Sequence, residues 1–513
     1  MDGMSIMTSP LLWTLVAIQI AMGGFDVVFH HEITERLAWR PSAAHELRLH
    51  AIRNAFYAVL FAAFAWLQPS GWFAVLLLAI MVAEIVITLA DFVEEDMTRK
   101  LPASERVLHT LLAINYGAIL ALIGPEIAGW SAAPTGLVAI SYGWGSVLLT
   151  AAAVGVALFG LRDVFTSRRA AAYAPPPPVM LDDVLAGPPR AVLVTGGTGF
   201  IGSSLVDALV ASGHDVTVST RDIAHAAGLP TPLRLVTHLD AIPRAARFDA
   251  IVDLAGEPVA GGLWTPWRRR AVVVSRLRSL TAIGRLIRRL DQPPAVIVKA
   301  SAIGFYGVRG DDMLTEADGG GPRTEFAARS CAIVECAGRE FGRRHGVRVV
   351  NLRIGLVLGR DGGFLGRMLP VFDLGLGGRT GSGRQWMSWI SQRDIVRLIA
   401  FAIGDPDLHG AVNGTAPAPV RNREFAAALG RALHRPAVLP LPAGPLERAL
   451  GDFARELLTG GQRVLPAKSI AAGFRFRDSE IEAALAAIIG CVGSSIRERP
   501  ALPAVPSRPH PAE

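Results

Sequence analysis

Five long apolar stretches fill the first third of the chain, at residues 10–29, 51–68, 71–92, 107–123 and 136–161. Each has about the ~17 to 25 residues that a helix needs to cross the hydrocarbon of a bilayer. The third and fifth stretches lack a polar face over most of their length, which disfavours a soluble amphipathic bundle. The pattern therefore predicts an α-helical membrane bundle over residues 1–165.

Basic residues between these stretches predict the orientation of the bundle. The second and fourth connections, around residues 68–71 and 124–135, carry no Lys or Arg. By the positive-inside rule we expect the N-terminus outside an inner or cytoplasmic membrane and everything after residue 165 in the cytoplasm. The basic residues that carry this prediction are Arg36, Arg40, Arg48, Arg99, Lys100, Arg106, Arg162, Arg168 and Arg169.

The hydrophobic pattern changes at residue 190. The run AVLVTGGTGFIGSSLVDALVASGHDVTVSTRD reads as a buried strand, a glycine-rich turn, an amphipathic helix and a second strand. This order is typical of a dinucleotide-binding turn, in which the glycines permit a tight turn, close approach of a pyrophosphate and close helix packing. We predict a doubly wound parallel α/β sheet of the Rossmann type over residues 190–440. The residues assigned to the cofactor turn are Gly196, Thr198, Gly199, Phe200, Ile201 and Gly202.

The end of the second strand discriminates between nicotinamide cofactors. An NAD site normally has Asp or Glu there, whereas Thr220 and Arg221 offer a hydroxyl and a guanidinium suited to a 2′-phosphate. Asp222 comes one residue late and is expected to cap a turn. NADP(H) is therefore favoured over NAD. Further along, the strand in FDAIVDLAGEPV ends at Ala255 and Gly256, which would let the cofactor lie against the backbone.

Two other segments complete the predicted organisation. Residues 166–189 are Pro-rich and are predicted to form a semi-rigid linker between the membrane and the α/β domain. Residues 496–513 have too few apolar side chains to form a core, so we expect a disordered tail.

The composition argues against some classes of protein. The mean hydropathy of +0.37 is high for a soluble enzyme. The net charge of +7 comes from scattered arginines with no aromatic-interleaved patch, which argues against nucleic-acid binding. The three cysteines have neither disulfide-framework nor zinc spacing, as expected in a reducing cytosol.

Several motifs resemble one protein family. TGGTGFIG, DLAGEPV, KASAIGFYG, LRIGLVLG, GSGRQWMSWISQRDIV and HGAVNGTAPAPVRNREF are similar to the atypical, epimerase-like branch of the extended short-chain dehydrogenase/reductases. LLTGGQRVLPAKSIAAGFRFRDSEIEAAL resembles the short C-terminal domain of unknown function in this branch, here residues 441–495. The resemblance implies cofactor contacts for the glycine turn, Arg221, Ala255 and Gly256. It also implies the superfamily's catalytic Ser/Thr position for Ser301.

The superfamily's Tyr-x-x-x-Lys pair is absent. Tyr306 is the only Tyr after the linker, and the residue four positions on is Gly310. Where the pair would stand, the chain has Cys331 and Glu335, one helical turn apart. The candidate replacements for the missing pair are Tyr306 as the acid, Cys331 together with Glu335, and bound water. The segment around Ser391 and Gln392 also departs from the family pattern and is expected to line the substrate side.

We therefore expect a membrane-tethered, NADP(H)-dependent oxidoreductase or epimerase-like enzyme that acts on a small-molecule or lipid-linked substrate. One alternative is a non-catalytic module that senses NADP(H) and regulates the membrane bundle. A third interpretation makes the bundle a metal or haem redox protein that receives electrons from NADPH.

Polar residues recur four apart at one end of four apolar stretches, and Glu84 lies deeper in the membrane. The spacing puts both members of a pair on one helix face. Carboxylates and imidazoles suit iron, manganese or zinc, and His50 with His109 suits a haem. A quinone or lipid-headgroup pocket and a belt of ion pairs are the other interpretations. The pairs are Asp26 with His30, Glu46 with His50, Asp91 with Glu95, and Glu105 with His109.

Overall fold

The five apolar stretches form five long helices in the computed structural model, which describes residues 6–99, 101–173 and 178–490. By length and composition, all five are long and apolar enough to cross a membrane. We call residues 6–99 and 101–173 the helical unit and residues 178–490 the α/β unit; the predicted tail lies outside the described residues. The elements of the helical unit are α1 (Pro10–Phe25), α2 (Ala44–Trp66), β1 (Leu67–Ser70), α3 (Trp72–Thr98), α4 (Ala103–Ser131), β2 (Gly136–Ala139) and α5 (Trp144–Ala172).

The helices extend beyond the apolar stretches that predicted them. Their polar turns are joined to one another by ion pairs such as those of Arg99 with Glu46 and Glu105. The start of the fifth stretch instead forms β2, which pairs antiparallel with β1 at the far end of the bundle. The backbone N–H of Ile6 donates to Glu126 Oε1 at 2.9 Å near the same end. The N-terminal residues of the described chain therefore lie away from the α/β unit.

A π-helical segment, Asp26–Thr34, continues α1 toward the α/β unit. The N–H of Glu35 donates to the carbonyl of His30 at 2.7 Å, a bond that spans five residues. Because five residues separate donor and acceptor here, positions i, i+4 and i+5 share one face of the segment. Asp26, His30 and His31 consequently face the neighbouring helices together, and all three are buried.

A seven-stranded parallel sheet forms the centre of the α/β unit, in the order β13-β9-β7-β6-β3-β4-β5. Helices cover both faces, which explains why segments such as AVLV and AIV are continuously apolar. The predicted doubly wound sheet is confirmed. The elements are β3 (Ala191–Thr195), α6 (Phe200–Ala211), β4 (Asp215–Ser219), β5 (Arg234–Val236), β6 (Ala250–Asp253), α7 (Pro266–Arg289), β7 (Val296–Ala302), β8 (Met313–Leu314), α8 (Phe326–His345), β9 (Arg348–Ile354), β10 (Leu356–Leu358), α9 (Gly363–Asp373), β11 (Trp386–Met387), β12 (Trp389–Ser391), α10 (Gln392–Gly404), β13 (Gly410–Gly414), β14 (Val420–Arg421), α11 (Asn422–Leu433), α12 (Ala443–Leu450), α13 (Asp452–Ala454), β15 (Arg463–Val464), α14 (Ala467–Ala471) and α15 (Ile481–Ile489).

The C-terminal elements pack on the sheet domain. Strand β15 pairs with β8 in parallel. Leu485 of α15 belongs to the same buried hydrophobic cluster as Leu369 of α9 and Phe425 of α11. The predicted C-terminal domain thus shares a core with the Rossmann-type domain, and its limits stay a prediction.

The C-terminal end of the predicted semi-rigid linker packs on the α/β unit. Leu181 and Leu185 are buried in the core of the sheet domain. Asp183 accepts hydrogen bonds from Arg397 at 2.7 Å and Arg477 at 2.8 Å. The two leucines stand four residues apart, a spacing that joins one face of a helical turn to the core. At the other end, the predicted linker begins inside α5.

The polar end of the helical unit contacts helix α9. Trp39 lies in the same hydrophobic cluster as Leu365 and Leu369 of α9. Arg169 of α5 pairs with Asp373 at the end of α9, with a closest N–O distance of 3.0 Å. These contacts join the two units on one side of the sheet domain.

Candidate functional site

The glycine turn after β3 has the shape of a dinucleotide cradle. Gly196 has φ +73°, in the left-handed region that favours glycine. A Cβ on Gly202 would lie 2.1 Å from the carbonyl oxygen of Gly196, and one on Gly196 would lie 2.8 Å from the backbone of Leu254 and Ala255. The first-turn N–H groups of α6, which include Phe200 and Ile201, point out of the helix without intrahelical partners. The turn therefore fits a pyrophosphate at a helix N-terminus.

The end of β4 presents a free cation. The side chain of Arg221 is exposed and makes no hydrogen bond or ion pair among the described residues. Thr220 is buried, and its hydroxyl bonds to the backbone of Asp222. Asp222 accepts from the N–H of Ala224 at 2.9 Å, as expected for a residue that caps a turn. The arrangement leaves the guanidinium, rather than a carboxylate, available at the position that contacts the ribose in this fold.

The turn after β6 is covered by an arginine that the sequence did not single out. A Cβ on Gly256 would lie 3.0 Å from the guanidinium carbon of Arg276, on α7. Arg276 donates to the carbonyl of Glu257 at 3.0 Å, and burial lowers the pKa of its guanidinium. Ala255 and Gly256 thus stand between the glycine turn and a half-buried cation.

The structure brings Ser301 and Glu335 together, with Arg353 as an unpredicted third member. Ser301 Oγ, at the end of β7, donates to Glu335 Oε1 at 2.8 Å. Arg353 of β9 donates twice to the same carboxylate, at 2.9 and 2.8 Å. Glu335 and Arg353 are both buried, so this bidentate pair is shielded from water. Its partners come from three different elements, which is why sequence spacing did not reveal it.

Tyr306 belongs to the same network, but its hydroxyl is already used. The side chain is fully buried, and its oxygen accepts from Arg353 Nη1 at 2.8 Å. The hydroxyl also lies 2.8 Å from Asn413 Oδ1 and from the carbonyl of Thr315. Burial raises the pKa of Tyr306. A phenol held this way packs the core and offers no free proton to a substrate, so the geometry disfavours the predicted role as the acid.

Cys331 stands one turn before Glu335 on α8. Loss of hydration raises the pKa of its thiol to about 11, and the negative charge of Glu335 adds to this effect. The thiol is therefore protonated at neutral pH and is a poor nucleophile. Cys336, also on α8, is exposed.

Gln392 contacts helix α6, which follows the glycine turn. Its amide donates to the carbonyl of Phe200 at 2.9 Å and to Ser204 Oγ at 2.7 Å. The buried Ser391 caps α10 by accepting from the N–H of Asp394 at 3.1 Å. The expectation that this segment lines the substrate side stays a prediction.

In the helical unit, the predicted polar pairs meet in one buried layer near the α/β unit. Two groups of potential metal ligands lie in this layer, and within each group the ligand atoms are no more than 4.8 Å apart. One group is Asp26, His31, Glu105 and His109, and the other is His31, His50 and Glu95. His31 belongs to both groups and was missed, because helical spacing of four pairs Asp26 with His30. Outside these groups, Asp91 bonds to Arg53 at 2.6 Å, Glu46 bonds to Arg99 at 3.0 Å, Glu84 accepts from Thr88 at 2.7 Å, and His30 bonds to Asp26 at 2.8 Å.

Comparison with known proteins places the α/β unit among relatives. The model of the NAD dependent epimerase/dehydratase family matches residues 192–413, and that of a domain of unknown function, DUF1731, matches residues 441–488. Epimerase family protein Mb2239 of Mycobacterium bovis is 40% identical over 302 residues, which are 57% of this chain and 96% of that protein. Epimerase family protein SDR39U1 of Bos taurus is 38% identical over 58% of this chain and 99% of its own length. The crystal structure of human epimerase family protein SDR39U1 with NADPH is 34% identical, with a TM-score of 0.52 and coverage of 58% of this chain and 99% of that chain.

Proposed function

Because the chain belongs to the NAD dependent epimerase/dehydratase family, we propose that it is an NADP(H)-dependent oxidoreductase or epimerase-like enzyme tethered to a membrane by α1 to α5. The resemblance seen in its motifs is confirmed. The observation that carries the cofactor assignment is the free guanidinium of Arg221 at the end of β4, beside a glycine turn that fits a pyrophosphate. The human relative crystallised with NADPH supports the same choice.

The chain's own residues supply binding and a route for one proton. Gly196, Gly199 and Gly202 give the cofactor diphosphate access to the backbone, and Arg221 takes the 2′-phosphate. In reduction NADPH would supply the hydride, and in oxidation NADP⁺ would accept it. Ser301 is partly exposed at the end of β7, where strand ends border the cofactor crevice. In the oxidative direction, Ser301 Oγ accepts the proton of a substrate hydroxyl while its own proton passes to Glu335 Oε1; reduction reverses both transfers.

The surface of the helical unit supports the membrane tether. Large apolar side chains on α3 are exposed, among them Trp72 at 76%, Leu76 at 57% and Val86 at 59%. Such a face is costly in water and suits lipid. With N-terminal residues at the far end of the bundle and the α/β unit at the near end, a cytoplasmic α/β unit places the N-terminus outside. A reporter fused after Glu513 that is active only in the periplasm would contradict this orientation.

The activity is tested with the full-length protein in lipid nanodiscs. We expect NADPH oxidation with at least one member of a panel of small and lipid-linked carbonyl compounds, and Ser301→Ala should reduce kcat by about 100-fold or more. Thr281→Ala is the matched control, because this exposed hydroxyl on α7 bonds only to its own helix.

The second candidate is an NADP(H)-sensing module. The bidentate pairing of Glu335 with Arg353 favours it, because the pairing weakens this carboxylate as a base. Stoichiometric NADPH binding without turnover across the panel, together with a change in the helical unit on binding, would favour sensing over catalysis.

A further inference from the structure

Four side chains from two segments of the helical unit, the π-helical segment and α4, point their polar atoms at one another. Asp26 Oδ2 lies 3.0 Å from His109 Nε2 and 3.5 Å from His31 Nε2. His31 Nε2 lies 3.6 Å from Glu105 Oε1. Ligands held about 2.0 to 2.2 Å from a shared metal ion stand about 3 to 4.5 Å apart, so these separations match a coordination shell. All four potential ligand atoms lie within 4.8 Å of one another.

Unused lone pairs in the layer independently indicate a ligand. His31 Nε2 is buried and makes no hydrogen bond among the described residues. Neither carboxylate oxygen of Glu95 makes one, although the side chain is only 1% exposed. Buried polar atoms without partners are uncommon, because leaving them unbonded costs free energy. Glu95 Oε1 and Oε2 lie 3.8 Å from His50 and 3.4 Å from His109, beside the four-residue group.

The charge of the layer favours a cation. Its carboxylates outnumber the guanidiniums that pair with them five to two among the described residues, so the arginines alone do not balance the negative charge. Carboxylates buried this deeply are normally paired or coordinate a metal. The carboxylates are Asp26, Glu46, Asp91, Glu95 and Glu105, and the guanidiniums are Arg53 and Arg99.

Neighbouring groups hold the potential ligands in place. His30 Nδ1 bonds to Asp26 Oδ1 at 2.8 Å, which leaves Oδ2 directed at His31 and His109. Arg99 donates to both oxygens of Glu105, at 2.9 and 2.8 Å. Outer hydrogen bonds of this kind fix ligand orientation in metal sites. The π-helical segment supplies both Asp26 and His31, and such segments are frequent at functional sites.

We propose that Asp26, His31, Glu105 and His109 bind one divalent transition-metal ion of the manganese, iron or zinc class. Two carboxylates and two imidazoles suit these ions better than magnesium or calcium, which prefer oxygen alone. The stoichiometry is one, because His31 also belongs to the second group with His50 and Glu95, and a neutral imidazole has one free lone pair. The site is separate from the NADP(H) site and does not depend on the proposed reaction.

The test uses purified full-length protein in detergent, stripped with a chelator and titrated with Zn²⁺ and, separately, Mn²⁺. We expect about one ion bound per chain by elemental analysis, with Mn²⁺ also followed by electron paramagnetic resonance. His31→Gln and His109→Gln should each weaken binding at least 100-fold. His45→Gln on α2 is the matched control, because His45 is exposed and outside both groups, and it should bind as the wild type does.

Several results overturn the proposal. They are failure of the stripped wild type to take up Zn²⁺ or Mn²⁺ at micromolar concentrations, equal binding by wild type and His31→Gln, and a haem absorption band in place of bound metal. Monodisperse elution and an unchanged Tm show that a variant is folded. If one histidine variant aggregates, the number of ions bound by the wild type and the affinity of the other histidine variant still test the proposal.

Discussion

The α/β unit and the helical unit each bury a carboxylate among cations, but only the first uses its lone pairs. Glu335 accepts one hydrogen bond from Ser301 and two from Arg353. Glu95 is as deeply buried, yet both its oxygens lack a hydrogen-bond partner among the described residues. The comparison teaches that burial of a charged group does not by itself mark a ligand site. Buried donors and acceptors without hydrogen-bond partners, rather than burial alone, mark the layer of the helical unit in which we propose a bound metal ion.

The largest loss of stability is expected when Glu335 is replaced, because both oxygens of its carboxylate accept hydrogen bonds. Glu335→Gln keeps the shape of the side chain but leaves Arg353 buried without its counter-charge, which costs on the order of 3 to 5 kcal/mol. Thermal melting of the full-length protein should show Tm lowered by on the order of 10 °C. Glu340→Gln is the matched control, because Glu340 is exposed on the same helix. A Tm equal to that of the control would show that the pair does not hold the fold.

In the α/β unit, the side chain of Arg221 also makes no hydrogen bond among the described residues, and we expect it to bind the 2′-phosphate of NADPH. A charge-assisted bond to the 2′-phosphate contributes about 1.5 to 3 kcal/mol. Arg221→Ala should therefore weaken NADPH binding by roughly 10- to 100-fold and leave NADH nearly unchanged. Fluorescence titration with both cofactors measures this. Arg234→Ala, which removes an exposed arginine from the neighbouring strand β5, serves as the control. Equal losses for NADPH and NADH would contradict the 2′-phosphate assignment.

Sequence reasoning succeeded where chemistry lies within one local segment. The turn from Gly196 to Gly202 and the cap at Asp222 are encoded by adjacent residues, and the structure shows the cradle and the cap. It failed where distant elements meet or helical winding changes. Arg353 lies beside Ser301 only because β9 pairs with β7 in the sheet, and both side chains meet Glu335 of α8 there. His31 enters the polar layer only because the segment after α1 winds as a π-helix, which spacing of four does not anticipate.

Glu95→Gln is the same substitution in the helical unit, and we expect it to have little effect on stability. In metal-free protein, Glu95→Gln removes no hydrogen bond among the described residues, and the ion pairs that it removes are long, at 3.4 to 3.8 Å from His50, Arg99 and His109. We therefore expect the free energy of unfolding to change by less than about 1 kcal/mol, with Tm within a few degrees of wild type. A loss as large as that of Glu335→Gln would erase the difference between the two units.

The smallest effect concerns Cys331, beside the completed network. Its pKa of about 11 lies above the usual thiol value, so the folded protein keeps the proton as pH rises through 9. Only the thiolate reacts with iodoacetamide. At pH 8 in the folded protein, mass spectrometry of tryptic peptides should show Cys336 alkylated at least 10-fold faster than Cys331, because Cys336 is also exposed. The two rates should converge as pH approaches 11 or when the protein is unfolded.

In Glu335→Gln, loss of the nearby negative charge lowers the pKa of Cys331, and its alkylation at pH 8 should increase. Unchanged alkylation in that variant would show that Glu335 does not act on the thiol, and that burial alone keeps it protonated.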